Sequence, residues 1–195
     1  DSNSTTTTVF DFESPISQID LLCAIDALAT NESMRTQPDL FQRSGVVAII
    51  GNLMIEHTEL SEVLKTDEDR DFFRRFLFKQ TQIAACNYHG LFNGVMRQSE
   101  LESNPQYGSA SFPFCSLINH SCAPNVVRVI HEGKNHVVVN RPIAAGEQLF
   151  DNYGFHHCLE KRSERRLTLF KQYMFQCSCQ ACEDDLPLYF DLPFT

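Results

Sequence analysis

The chain has 195 residues, 43% of them hydrophobic, and a formal charge of −9 at pH 7; this is enough apolar material for one domain with a proper core and an attached helical subdomain. The acidic balance argues against binding a phosphate backbone and favours a basic partner such as a Lys/Arg-rich peptide. The longest apolar runs, such as Val46 to Ile50, fall far short of the ~20 residues that cross a bilayer, so neither nucleic acid nor membrane is an expected partner.

Residues 1–13, opening DSNSTTTT, are polar and unpatterned and read as a disordered end or the cut edge of a longer protein. Ser14-Pro15 reads as an N-cap with proline at the first helical position, and Ile16, Ile19, Cys23 and Ala27 recur at helical spacing through Ala29. Polar residues and Pro38 mark a loop from Thr30 to Ser44. Val46, Val47, Ile50, Leu53, Met54, His57, Leu60 and Leu64 then form a second helical stripe, with His57 reading as a packed core histidine. Thr66 with Asp69 resembles a capping box, opening a third helix with Phe72, Phe73, Phe76, Gln80, Ile83, Ala84 and Asn87 on one face. Asn87, two turns beyond Gln80 on that face, is either a core amide capping its own helix end or a site residue.

From His89 to Ser111 the Gly, Asn, Ser and Pro content predicts a long irregular connection with at most a short strand. FPFCSLINHSCAPN, Phe112 to Asn125, sets the polar groups Asn119, His120 and Asn125 beside an apolar run, and burial would oblige each to find a hydrogen-bond partner. Asn125 to Asn140 is two β-branched runs around Glu132-Gly133-Lys134, the pattern of a hairpin, and Leu149 and Phe150 continue as a strand. A last helix near Leu159 to Tyr173 shows an apolar edge of Leu167 and Phe170, while Lys161, Arg162, Arg165, Arg166 and Lys171 read as a solvated face.

Eight cysteines without a signal peptide read as thiols and thiolates in a reducing compartment, hence an intracellular protein of nucleus or cytoplasm. Cys23 and Cys86 read as small buried hydrophobes. Cys177, Cys179 and Cys182 are too close in sequence to pair easily as disulfides, yet their spacing suits thiolates converging on one ion. A closed tetrahedral Zn²⁺ site needs a fourth ligand. Cys115, His156, His157 and Cys158 are soft or polar groups that compete for the place, although His156-His157-Cys158 also reads as a loop capping the next helix.

The ordered set NHSCxPN (Asn119 to Asn125), GE-x-L-x-x-x-YG (Gly146 to Gly154) and CxCxxC (Cys177 to Cys182) resembles the C-terminal half of SET-domain lysine methyltransferases, and among them the SET-and-MYND group, over roughly Gln80 to Cys182. The resemblance implies an α+β fold. A helical insertion would occupy 14–88, and the short twisted β-sheets of the C-terminal half of a SET domain, with a knot-like crossing, 89–158. A post-SET helix and zinc-bound segment would follow over 159–185, with a tail over 186–195. It also implies transfer of a methyl group from S-adenosylmethionine to a lysine of a histone or non-histone protein, by a monomer. The demand of that displacement is placement of a deprotonated amine in a channel that excludes water.

In the resemblance Asn87, Ser116, Ile118, Asn119, His120 and Phe175 contact the cofactor: the Asn-His pair at its amino-acid end and adenine, Ser116 and Ile118 through backbone. Tyr153 is the catalytic tyrosine whose hydroxyl orients the amine, and Tyr173 and Phe175 complete the lysine channel with it. Cys122 joins Cys177, Cys179 and Cys182 on zinc. None of the eight glycines forms the Gly-x-Gly element of the first part of a SET domain, and no cysteine pairs precede Cys177 to build a MYND module, so the chain resembles a C-terminal portion. The alternative is a catalytically silent SET-like interaction module.

Overall fold

The structure, a computed structural model, describes residues 16–92, 106–131 and 134–193; the Ser14-Pro15 cap, the N-terminal thirteen residues and the Glu132-Gly133 turn lie outside them. Helix α1 (Gln18–Asp26) starts where the Ser17 hydroxyl accepts the Asp20 N–H at 3.1 Å and ends short of the expected Ala29. After a 3-10 turn (Glu32–Met34), α2 (Gln37–His57) begins well inside the predicted loop. Thr36 caps it, and Pro38 sits in its first turn, where a missing N–H removes nothing the helix would have bonded. A short α3 (Leu60–Val63) leads to α4 (Asp67–Asn87), which opens on the expected capping box: Asp69 N–H to Thr66 Oγ1 at 3.1 Å, Thr66 N–H to Asp69 Oδ2 at 3.0 Å.

Helices α2 and α4 pack on each other, only in part by the predicted stripes, of which Val47, Ile83 and Asn87 are buried. The buried positions of α2 are Val47, Gly51 and Ile55, whereas Val46, Ile50, Leu53 and His57 are exposed; His57 is therefore no core histidine. Because α2 is apolar around much of its circumference, periodicity alone does not choose its inner face. On α4 the buried residues are Gln82, Ile83 and Asn87, with Phe72 exposed. Cys23 is also exposed and Cys86 half-buried, so neither is a buried hydrophobe. Arg35, itself buried, ties the turn before α2 to α4 by donating to Thr30 O at 2.9 Å and Gln82 O at 3.0 Å.

Three two-stranded sheets follow among the described residues. Strands β1 (Tyr88–Phe92) and β2 (Gln106–Ser111) pair antiparallel from Tyr88 opposite Ser111 to Phe92 opposite Gln106. The two ends of the predicted irregular connection are thus strands, formed by pairing with each other, while its middle, 93–105, lies outside the described residues. After α5 (Pro113–Ser116) comes β3 (Asn119–His120). The hairpin β4 (Val126–His131) and β5 (Lys134–Val139) forms as expected, Val126 opposite Val139. Strand β6 (Phe150–Asp151) lies parallel to β3, Asn119 beside Phe150 and His120 beside Asp151. Helices α6 (Arg162–Tyr173) and α7 (Gln180–Glu183) close on Cys122, Leu169, Cys177, Ala181 and Cys182, a small core at the C-terminal end. No helix of the described residues is long and apolar enough to cross a membrane.

Candidate active site and metal centre

The parallel pairing of β3 with β6 brings the NHSC and YG segments together, and it extends into the turn beyond: Ser121 N–H donates to Asp151 O at 2.8 Å and Asn125 N–H to Phe150 O at 3.2 Å. Asn125, 1% exposed, finds the partners its burial required. Its amide donates to Gln148 O at 2.9 Å and Glu147 Oε1 at 3.1 Å, and its Oδ1 accepts the Phe150 N–H at 2.7 Å. Glu147 is thereby held well ionised, its pKa lowered to about 2, chiefly by the Arg141 guanidinium. The turn closing the YG motif needs its glycine: Gly154 has φ +108°, which L side chains rarely adopt, and its N–H donates to Asn152 Oδ1 at 2.8 Å.

His120 sits in this pairing, opposite Asp151. Its Nδ1 accepts the Tyr153 N–H at 3.0 Å, which leaves the proton on Nε2, facing Cys122 Sγ at 3.4 Å. One imidazole therefore links the tyrosine segment to the sulfur cluster, with both ring nitrogens engaged by the protein. The Tyr153 hydroxyl donates to Ile118 O at 2.7 Å, and its ring lies 5.1 Å from that of His120 and 4.8 Å from that of Tyr173. Burial, and after it the Asp151 charge, pushes the Tyr153 pKa up to about 12, so the group is a neutral phenol at physiological pH. Phe175 flanks His120 at 6.1 Å between ring centres.

These groups border one cleft of about 790 Å³, lined by Asn87, Ser116, Asn119, His120, Tyr153, Tyr173 and Phe175 among others, a volume suited to a cofactor-sized ligand. Ile118, expected at the cofactor, is not among the lining residues; its carbonyl accepts the Tyr153 hydroxyl and its N–H donates to Cys115 O at 3.1 Å. Asn87 fulfils both readings of its position. It lines the cleft, and its amide nitrogen donates to Ile83 O of its own helix and to Ala29 O, both at 2.9 Å. Ser116 Oγ donates to Asn87 O at 3.0 Å, which locks α5 to the end of α4.

The sulfur atoms of Cys122, Cys177, Cys179 and Cys182 all lie within 4.8 Å of one another. The Cys122 sulfur is 3.6 Å from that of Cys182 and 4.0 Å from that of Cys177. A disulfide would need about 2.05 Å, whereas a tetrahedron with ~2.3 Å metal–sulfur bonds has edges of ~3.8 Å. The cluster thus fits a tetrathiolate metal site, with Cys122 in the fourth place. Cys115 instead accepts a bond from Asn135 at 3.4 Å, and Cys158 contacts His156 Nδ1 at 3.1 Å. Within the cluster the Cys177 thiol is pulled down to about 3 by the hydrogen bond from Cys122, and Cys122 is pushed up by that same bond and then by burial.

Sequence reasoning missed three supporting groups. Arg165, expected on a solvated face, is 1% exposed and donates to Cys182 Sγ at 3.7 Å; Leu167 and Phe170, the expected apolar edge of α6, are exposed instead. Arg165 shares a face with Leu169, one turn on, but spacing alone did not choose that face over the one bearing Leu167 and Phe170. Asn31, in the left-handed region at φ 54°, donates to Tyr173 O at 3.2 Å and so joins the helical region to the cleft wall. The buried Asp151 pairs with Arg128, which also contacts His89, so β1, β4 and β6 are tied together.

A SET-domain family model matches residues 19–154. The chain is 30% identical over 127 residues to a SET and MYND domain-containing protein of Dictyostelium discoideum, covering 65% of this chain and 35% of that protein. Over 120 residues it is 31% identical to the protein-lysine N-methyltransferase SMYD4 of Danio rerio (48% and 16% covered), and over 151 residues 29% identical to the histone-lysine N-methyltransferase Smyd1 of Mus musculus (68% and 30%). It spans about a third or less of the length of each of these relatives. With the cleft, the paired NHSC and YG segments and the cysteine cluster, these matches support one conclusion: the chain belongs to the SET-domain family, within its SET-and-MYND group.

Proposed function

We propose that the cleft binds S-adenosylmethionine and serves transfer of a methyl group to a lysine side chain of a histone or non-histone protein, in the nucleus or cytoplasm. The observation that carries this reading is that residues from four separate segments, Asn87, Asn119, Tyr153 and Phe175, border one cofactor-sized cleft. The names of relatives, protein-lysine and histone-lysine N-methyltransferases, support it. When bound, the cofactor supplies an electrophilic methyl on a sulfonium. The chain's own residues supply placement.

Asn87 has spent both amide protons on protein carbonyls, so it offers its Oδ1 as an acceptor, suited to the ammonium of the cofactor's amino-acid end. His120, with both nitrogens engaged, contributes ring face and backbone rather than a ring N–H. Ile118 holds the Tyr153 hydroxyl, and the phenol oxygen then accepts from the incoming amine and orients it. With its pKa raised to about 12, Tyr153 does not deprotonate that amine at neutral pH; it positions a lysine that has already lost its proton to solvent. Tyr173 and Phe175 wall the channel on the other side. Zinc on the four cysteines would hold Cys122, and with it the NHSC segment, against the C-terminal trio.

Tyr153→Phe in the full-length protein tests the assignment: methylation of a lysine substrate falls to background while zinc content and S-adenosylmethionine binding by calorimetry stay unchanged. Retained turnover removes Tyr153 from this role, and absence of cofactor binding by the wild type removes the reading.

A further inference from the structure

Helix α6 turns a buried cation toward the sulfur cluster. The Arg165 side chain donates from Nη2 to Cys182 Sγ at 3.7 Å and from Nη1 to the backbone carbonyls of Glu160 and, at 3.5 Å, His157. Its Nε has no hydrogen-bond partner among the described residues. A guanidinium withdrawn from water is costly unless an anion stands beside it, and the side-chain group against this one is a cysteine sulfur of the cluster, which is a thiolate when it ligates a metal. Its neighbours grip the ligand loop by the backbone: Arg166 Nε donates to Cys177 O at 2.9 Å and Arg162 Nη1 to Cys182 O at 3.2 Å. Cys179 Sγ in turn accepts the Cys122 N–H at 3.3 Å.

Four thiolates around a divalent ion leave a net charge of −2, in a place where Cys122 and Cys182 are wholly buried. One fixed positive charge offsets half of it. We propose that Arg165 is the counter-cation of the tetrathiolate site, a positioning residue outside the coordination sphere that raises the site's affinity for a divalent metal such as zinc. Through that affinity it also fastens the NHSC segment to the C-terminal trio. On binding, each protonated thiol releases its proton to solvent and each sulfur donates an electron pair to the ion, with no change in oxidation state. The inference rests on reading the cluster as a metal site.

The test uses the purified full chain, loaded with zinc, as wild type, R165K, R165Q and R165M, each titrated with a chromogenic chelator of known zinc affinity. Co²⁺ in place of zinc reports tetrathiolate ligation by its sulfur-to-metal charge-transfer band. R165M and R165Q are expected to bind zinc about 10- to 100-fold more weakly with the Co²⁺ band retained, and R165K to recover most of the affinity. Wild-type affinity in R165M or R165Q overturns the proposal, and so does an R165K as weak as R165Q, which would assign the effect to shape instead of charge. If R165M does not fold, the R165Q and R165K pair decides. A wild type that takes up neither zinc nor Co²⁺ fails the metal reading itself, and this inference with it.

Discussion

In the helical region, residues 16–87, the buried core is small, Leu28, Val47, Ile55 and Ile83 with the polar Arg35, Gln82 and Asn87, while Ile19, Phe41, Ile49 and Phe72 stay largely exposed. In the segment from Phe112 to Leu186 much of what is buried is sulfur, amide, imidazole and guanidinium: Cys122, Asn125, His120, Asp151 and Arg165. The first region is held by helix caps, a modest apolar contact between α2 and α4 and a few directional bonds, chiefly those of Arg35 and Asn87. The second is held by directional bonds, each of which has one acceptable partner and costs stability if that partner is lost. A site that must place atoms within fractions of an ångström is built from the second kind.

The sharpest way to break this contrast is to deprive the four-sulfur site of the metal it is proposed to hold. Cys122→Ser, or stripping with a chelator, should remove on the order of 10 kcal/mol from the C-terminal site, read as lost amide-exchange protection around β3, β6, α6 and α7 with protection in α2 and α4 retained. Equal loss in both regions would mean that the two are one cooperative unit and that the contrast is only one of composition.

Packing gives the next effect. Leu169→Ala, in the core against the cysteines at 0% exposure, should cost ~2–5 kcal/mol. Ile49→Ala, 65% exposed on α2, should stay within ~0.5 kcal/mol in the same denaturant titration. A large cost at Ile49 would show that the outer face of α2 is covered in solution.

The smallest effect concerns pH. Burial, with the Arg128 charge beside it, lowers the His89 pKa from 6.5 to about 4. The unfolded chain therefore binds a proton that the folded one refuses, so this contribution to stability is complete above pH ~6.5 and is lost as pH falls toward 4. Screening of the half-exposed ring keeps it near ~1 kcal/mol. His89→Gln should flatten that part of the urea-midpoint profile, and an unchanged slope would relocate the effect to other groups.

Features whose partners lie a few residues apart were legible in the amino-acid sequence. The Thr66–Asp69 capping box, the hairpin of β4 and β5 and the gathering of the Cys177, Cys179 and Cys182 sulfurs formed as read because each follows from local geometry, while Asn125, whose burial demanded partners, found them more than twenty residues along the chain. Of the residues that the ordered motifs pointed to, Asn119, His120 and Tyr153 line one cleft, and the Cys122 sulfur lies beside those of the C-terminal trio.

Tertiary structure alone decided which faces are buried. Val47, Gly51 and Ile55 on α2, and Arg165 with Leu169 on α6, face inward because of what packs across from them, and no single helix carries that information. The same holds for the sheet of β1 and β2, each strand of which exists through its partner, and for Arg165, whose guanidinium is buried where the carbonyls of His157 and Glu160 and the sulfur of Cys182 come together beside it.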